Sequence, residues 1–440
     1  MFSRAIAQPT STGRSRALPA LRFRLVVSLA LASVTAHAQI AGLTLDDALQ
    51  RSSLKSASNQ AASASVQAMR EAGARAGQLP EPTLKLGVDN LPVSGPDRYS
   101  FSRDFMTMRR VGIEQQWLSA DKRTARAERA LRAVEMEEAN YLANVARVRG
   151  ETAKAWVGMY YAQNAVALYK QIAKEMADDL RASQAAHRGA KANASDVLQS
   201  KIAVTQADDA VRKAQQDVDD SRIALTRWVA EPVQSVAETL PPRRLHVPEM
   251  LVADLERYHP MVLTARRSIA LADADTEVAV KDRRPDWAFE ASFAQRGSQY
   301  ANMVSVGVSI PLTTNSSQKQ DRDIAEKSAL GTKARLQYQD GLRELQSEIQ
   351  GLASKVQSLA ARASLFRAQL LPVATQQIDL ATAAYRSGSG SLGAVFAAKK
   401  MLVERQLQIL ELEKEAALNW ASLEYHVVPH DMVAFGGNAK

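Results

Sequence analysis

The chain of 440 residues has 56 basic and 47 acidic residues, no cysteine and only 5% aromatic residues. The absence of cysteine excludes a disulfide framework, a thiol catalyst, a cysteine-based zinc site and a lipid anchor on cysteine. Ala, Gln, Arg and Leu dominate long stretches. Such a composition is typical of long helices that bury a narrow seam, and it argues against several compact globular domains.

The first 38 residues have the pattern of an export signal. Arginines precede an apolar run from Leu25 to Val34, and Ala36-His37-Ala38 then fits a signal-peptidase site. The run is too short for a membrane anchor, because a spanning helix needs about 20 apolar residues. We therefore predict cleavage after Ala38. The signal holds five arginines and no acidic residue, so the mature chain carries 51 basic against 47 acidic residues, which is weak evidence for nucleic-acid binding.

The rest of the chain reads as two similar halves. Ala185-Ala186-His187-Arg188 matches Ala383-Ala384-Tyr385-Arg386 at an offset of 198 residues, and Lys201 matches Lys399 at the same offset. Such an internal repeat indicates two copies of one structural unit. We predict a first repeat over residues 39–231, a linker over 232–248, a second repeat over 249–428 and a C-terminal tail over 429–440.

Each half reads helix, strand, strand, long helix, turn and helix. The first helical segment runs from Leu45 to Ala76 and ends before Pro80. Turn-forming residues near 187–195 and 385–393 predict that each long helix folds back as an antiparallel hairpin. A helix of about 65 residues reaches roughly 100 Å. A heptad stripe in the second half predicts coiled-coil packing, and its members are Leu342, Leu345, Ile349, Leu352, Val356 and Leu359.

Four segments alternate apolar and polar residues, as β-strands do, and they lie near 83–90, 110–117, 286–294 and 303–311. A half-buried sheet in a soluble protein would show the same alternation. Export, and the lack of a second layer to cover a sheet, favour an outer-membrane β-barrel. Four strands leave two open edges, which hydrocarbon does not tolerate, so several copies must share one barrel. Two copies would supply eight strands and three would supply twelve.

The chain resembles the TolC-type outer-membrane efflux proteins over the whole predicted mature sequence. The most specific matches are the two turn motifs, Ala186-His187-Arg188-Gly189 through Asp196-Val197-Leu198-Gln199 and Ala384-Tyr385-Arg386-Ser387-Gly388 through Val395. Asp121-Lys122-Arg123-Thr124-Ala125-Arg126 and Asp89-Asn90-Leu91-Pro92 are similar to the heavy-metal branch, the CusC and CzcC group. So is the stretch from Arg103 to Arg110.

This resemblance implies a mainly α fold with a membrane β-barrel part. Long antiparallel α-hairpins form an α-barrel across the periplasm, and each protomer adds four strands to a shared twelve-stranded barrel of a homotrimer in the outer membrane. It also implies two protein partners, a periplasmic adaptor and an inner-membrane pump of the resistance-nodulation-division type. The pump supplies the energy, so the chain itself would be a passive exit duct that needs no cofactor.

The resemblance also implies which residues close the periplasmic end. Tyr385 and Asp196 correspond to a tyrosine and an aspartate that link the hairpins there, although Asp196 also fits simple helix-start chemistry. A basic residue often stands in the family where this chain has Gly390. Acidic residues often stand where it has Ala394 and Ala397, so any acidic ring would have to come from Asp196.

The adaptor would dock in grooves at the two tips. By the same resemblance, these docking positions are Arg188 and Gly189 at the first tip, and Arg386 and Gly388 at the second.

Other residues suggest chemistry less specifically. Met106 and Met108 offer thioether ligands for Cu(I) or Ag(I), but such a pair is more often ordinary loop packing. His426 with His430 and Asp431 offers a weak chelating pattern across Pro429. The sequence has no Gly-x-Ser-x-Gly elbow and no Gly-rich phosphate loop, and we predict that the chain is not an enzyme.

The leading functional interpretation is an outer-membrane efflux duct for heavy-metal cations. A duct of the same fold for drugs or secreted proteins is an alternative, and a soluble periplasmic coiled-coil scaffold is another. A nucleic-acid partner is not expected. The residues do not identify the substrate, because selection would be made by the pump.

Overall fold

The computed structural model describes residues 42–190, 193–250 and 252–429. The predicted signal peptide, residues 191 and 192 of the first turn, and the pair His430 and Asp431 lie outside the described residues.

Long helices dominate both halves of the chain. The helices of the first half are α1 (Leu45–Lys55), α2 (Ala57–Ala76), α3 (Ala120–Arg188) and α4 (Ala194–Val229), and those of the second half are α5 (Val252–Tyr258), α6 (Pro260–Asp282), α7 (Gln320–Leu365), α8 (Leu371–Arg386) and α9 (Leu392–Glu424). The 69 residues of α3 correspond to a length of about 100 Å. The first hairpin consists of α3 and α4, and the second of α7, α8 and α9.

Two helix breaks differ from the prediction. The helical segment predicted over Leu45–Ala76 is divided at Ser56, whose extended backbone ends α1 and whose hydroxyl accepts a hydrogen bond from the Asn59 N–H at 3.3 Å. A serine in this position caps a new helix, so it ends one helix and begins another. A five-residue π-helical turn, Phe366–Leu370, separates α7 from α8. Pro372 follows two residues after this turn, and because it cannot donate a backbone hydrogen bond it favours a local widening of the helix.

The heptad stripe of α7 is buried as predicted. Leu345, Ile349, Val356 and Leu359 are between 2% and 7% exposed, and the other two members are half-buried. The stripe packs against α9, where the buried partners include Ile409, Leu412 and Leu423.

The linker is held on the main apolar core by two indole groups. Trp156 Nε1 donates a hydrogen bond to the Leu43 carbonyl at 2.7 Å, and Leu43 pairs in turn with Val236 of the linker. Trp420 Nε1 donates to the Arg244 carbonyl at 2.9 Å. Both indoles are fully or almost fully buried. The linker therefore crosses the helices close to the core that both halves share.

The four predicted strands form one antiparallel sheet in chain order: β1 (Thr83–Asp89), β2 (Met108–Trp117), β3 (Trp287–Gln295) and β4 (Met303–Ser309). Strands β2 and β3 join the two halves at the centre of the sheet, with Trp117 opposite Trp287 and Arg109 opposite Gln295. The mainly α fold with long antiparallel hairpins and a four-stranded sheet, predicted from sequence, is confirmed. None of the described helices combines the length and the apolarity that crossing a bilayer requires.

Candidate functional sites on the sheet and at the hairpin tips

One face of the sheet, which we call the apolar face, presents large apolar side chains to solvent. Leu86, Val111, Phe293 and Val304 stand opposite one another across the four strands and form a continuous row. Exposure on this face reaches 80% for Val306. Continuous exposed apolar surface of this kind marks contact with another protein or with lipid.

The opposite face of the sheet carries a charge network. Lys85 pairs with Glu114 and with Glu290, the latter at 3.0 Å, and Arg110 pairs with Asp89 at 3.0 Å and with Glu290 at 3.3 Å. Glu114 and Glu290 are directly opposite in the register of β2 and β3, an arrangement in which like charges repel. The two basic side chains offset this repulsion, so the polar face is largely neutralised within one chain.

The sheet is open in a single chain. Strands β1 and β4 are its edges, and no other strand of the described residues pairs with their outer sides. The unpaired N–H and C=O groups on these sides are ready to bind another strand.

The first hairpin tip lies between α3 and α4. Helix α3 ends at Arg188, and the Gly189 N–H donates to the Ala185 carbonyl at 3.1 Å. At the start of α4, the Asp196 carboxylate accepts a hydrogen bond from the Asn193 N–H at 3.0 Å. Asp196 therefore has the helix-start role that the sequence allowed.

The second hairpin tip lies between α8 and α9, and its turn depends on two glycines. Gly388 has φ of 76°, in the left-handed region that favours glycine. A Cβ at Gly390 would lie 2.9 Å from the Ala384 Cβ, so any side chain there would force the turn to shift. This close approach is a physical reason for glycine at the position where the resembled family often has a basic residue. Arg386 ends α8 beside this turn and is exposed.

Within one chain, Tyr385 and Asp196, the predicted link between hairpins that we call the latch, are not joined. Among the described residues, no hydrogen bond connects the Tyr385 hydroxyl with the Asp196 carboxylate. Asp196 instead lines a cavity of about 150 Å³, together with Asp179, Ser200 and Lys400. The latch stays a prediction, and it would form between different copies of the chain in an assembly.

A buried ion pair near the tips was not predicted from the sequence. Lys399 Nζ of α9 donates to Asp179 Oδ1 of α3 at 2.9 Å, and the Asp179 side chain is 7% exposed. Burial raises the pKa of Asp179, and the lysine opposes that effect. The sequence marked Lys399 as the repeat equivalent of Lys201, but nothing in it marked Asp179.

Two histidines share a second cavity, near the linker. The rings of His259 and His426 have centroids 6.4 Å apart and line a space of about 300 Å³ with Arg147 and Glu348. Burial lowers the pKa of His259 to about 4 and also lowers the pKa of His426. Both imidazoles are therefore neutral near pH 7.

The two methionines considered as metal ligands lie where the first strand pair is connected. Met106 is an exposed residue of the β1–β2 loop, and Met108 is the half-buried first residue of β2. In residues 42–190, 193–250 and 252–429, no group of three or more His, Asp or Glu side chains has metal-binding geometry.

Solved structures of similar fold include several outer-membrane proteins. A membrane protein from Pseudomonas aeruginosa is 14% identical, with a TM-score of 0.74, over 87% of this chain and 89% of that one. The outer-membrane protein VceC from Vibrio cholerae is 17% identical, with a TM-score of 0.71, over 87% and 95% of the two chains. CusC, whose crystal structures concern transmembrane channel formation, is 14% identical, with a TM-score of 0.72, over 87% and 91%. No family model and no curated protein matches this chain.

Proposed function

We propose that this chain is one subunit of a TolC-type outer-membrane efflux channel, a passive duct rather than an enzyme. The observation that carries the proposal is the exposed apolar face of a sheet whose two edges are unpaired. Such a sheet is unfavourable in water as a single chain. It becomes favourable when neighbouring copies pair its edges and lipid covers its apolar face.

Three copies would close a barrel of twelve strands, with the apolar face toward lipid and the charge network toward the lumen. A barrel of eight strands has an interior that side chains fill, whereas twelve strands leave a wide opening. The fold shared with VceC and CusC supports this arrangement. The hairpins, about 100 Å long, are then suited to form a tunnel through the periplasm.

The duct would work with a periplasmic adaptor and an inner-membrane pump of the resistance-nodulation-division type. The adaptor would dock at the tips, where Arg188, Gly189, Arg386 and Gly388 are all exposed. The absence of cysteine supports insertion without a lipid anchor, with the sheet in the outer membrane and the hairpins in the periplasm.

Heavy-metal cations are the proposed cargo. The support is the sequence resemblance of the segment from Asp121 to Arg126, which begins α3, to the heavy-metal branch. A host lacking its own channel, and carrying this one with its genomic neighbours, should regain growth on copper and silver or on cobalt, zinc and cadmium. Recovery on organic drugs alone would assign the duct to drug export instead.

Extraction and conductance test the proposal as a whole. The protein should leave the membrane only with detergent, run as a heat-sensitive oligomer and give defined single-channel currents in a planar bilayer. Release as a water-soluble monomer with the periplasmic fraction would overturn the proposal and favour a coiled-coil scaffold.

A further inference from the structure

The starting point is the polar layer near the tips, which we call the tip cluster and which consists of Asp179, Ser183, Ser200 and Lys399. Its ion pair joins α3 of the first hairpin to α9 of the second. Asp179 Oδ2, Ser183 Oγ and Ser200 Oγ are buried and have no hydrogen-bond partner among the described residues. Movement of α9 away from α3 would take Lys399 from the buried Asp179 carboxylate, and a buried charge left without its partner is strongly destabilising.

The internal repeat shows that this layer occurs only once. At the offset of 198 residues, Asp179 corresponds to Gln377, Ser183 to Ala381 and Ser200 to Ala398, while Lys399 corresponds to Lys201. Gln377 and Lys201 are both exposed in the single chain. The acidic member of the pair and the Ser183 hydroxyl are therefore missing from the equivalent positions on α8, and the Ser200 hydroxyl is missing from the equivalent position on α9.

Gln377 on α8 and Lys201 on α4 lie on helix faces that no other described element covers. Among the described elements, α4 packs mainly on α3 and α1, and α8 mainly on α9 and the π-helical turn. Large apolar side chains are exposed on both helices: Leu198 and Ile202 on α4, and Val373 and Leu380 on α8. Within the chain α3 packs against α9, and the repeat makes α8 and α4 the counterparts of these two helices. The same packing between α8 and α4 of two copies would bury the exposed apolar side chains.

We propose that α8 of one copy packs against α4 of a second copy, as α3 packs against α9 within a copy, and that this intermolecular seam is the weaker of the two at the tips. The inference rests on the proposed assembly of several copies around a duct. Within a copy, the buried ion pair holds the second hairpin on the first. Between copies, Gln377 faces Lys201 of the partner subunit, and a neutral amide replaces the carboxylate. The tips therefore separate between copies first.

Installing the missing carboxylate tests the intermolecular seam. Gln377→Asp should place a charge opposite Lys201 of the partner subunit, raise the temperature at which the oligomer dissociates and lower the open probability of single channels about fivefold. The matched control is Gln376→Asp, because its repeat equivalent, Asp178, pairs with Arg181 of the same helix. Adding Lys201→Gln to Gln377→Asp should abolish the gain.

Hydrogen exchange tests the seam within a copy. Asp179→Asn should speed exchange of residues 392–403 about tenfold, and Asp178→Asn should not. The exchanged pair Asp179→Lys with Lys399→Asp should restore most of the protection, which keeps the test valid if the single variant folds poorly.

The outcomes separate this inference from the proposed function. If the wild-type protein forms channels but Gln377→Asp behaves like Gln376→Asp, the weaker-seam inference is wrong and the channel stands. The same applies if Asp179→Asn exchanges no faster than Asp178→Asn. If the wild-type protein neither oligomerises nor conducts, the proposed function itself fails.

Discussion

Lys122 Nζ donates a hydrogen bond to Asp286 at 2.7 Å, and its side chain is 4% exposed. The same ammonium lies 3.5 Å from Asp282. Lys122 stands in the first turn of α3, and Asp286 directly precedes β3. The contact therefore joins the long helix of one half to the sheet strand of the other.

Removal of this lysine should weaken that junction. Lys122→Met deletes a buried charge and leaves the Asp286 carboxylate without its partner, which we expect to cost about 2–4 kcal/mol. Thermal unfolding in detergent measures the loss as a lower transition temperature. Arg129→Met is the matched control, since Arg129 pairs with Asp275 in a largely exposed position and should cost less than about 1 kcal/mol. Equal effects of the two variants would contradict the role of burial.

The histidine cavity predicts acid sensitivity. The pKa of His259 is lowered to about 4 in the folded protein, against about 6.5 in the unfolded chain. The unfolded state therefore binds more protons between these values, and stability is full above pH 6.5 and falls as the pH drops toward 4. The loss is at most about 3 kcal/mol.

His259→Gln should reduce this pH dependence, because this side chain no longer titrates, and the buried His426 accounts for the part that remains. Unfolding transitions measured from pH 7.5 to pH 4 provide the comparison. His246→Gln is the control, since His246 is an exposed side chain beside Glu424. A wild-type transition that does not move between pH 6.5 and pH 4 would refute the prediction.

The apolar face of the sheet predicts a face-dependent insertion defect. Val306→Arg places a charge where lipid is expected, at a cost of about 2–4 kcal/mol near the bilayer midplane. Ser305→Arg, one residue earlier and on the opposite face, should be tolerated. The yield of heat-sensitive oligomer in the outer-membrane fraction measures both. Equal yields from the two variants would mean that this face does not meet lipid.

The latch prediction concerns the closed end of the duct. Asp196→Ala combined with Tyr385→Phe should raise single-channel conductance, because polar links between hairpins are lost. Asp196 also accepts a hydrogen bond at the start of α4, so Asp196→Ala should cost about 1 kcal/mol of helix stability as well. Asn193→Ala alters the same cap without touching the latch and serves as the control. Unchanged conductance of the double variant would remove the assignment.

Most of the fold could be predicted from the spacing of apolar residues along the sequence. The heptad stripe of α7 and the alternation around Val306 each report a single element, and both elements formed as expected. Ser56 was missed as a helix break because serine is common within helical segments and marks a cap only when its backbone is extended. The strands could be predicted without knowing which strands they pair with, because the alternation of apolar and polar residues alone defines the two faces of a strand.

Contacts between distant elements were harder to predict. In the sequence, nothing distinguishes Asp179 from the other acidic residues of a long helix. It is buried because α9 packs against this part of α3. Lys122 belongs to a motif that the sequence did single out, but its partner Asp286 depends on how the two halves meet at the sheet. Pairings of this kind follow from tertiary register, which one sequence does not reveal.

The central pairing of β2 with β3 has a consequence for how the chain reaches its native state. Strand β2 lies in the first half and β3 in the second, with the whole first hairpin between them. During synthesis, the apolar sides of β1 and β2 therefore stay exposed to water until β3 in the second half has been made. Long-range strand pairing of this kind is slow, and until it is complete the exposed apolar side chains and free strand edges favour aggregation.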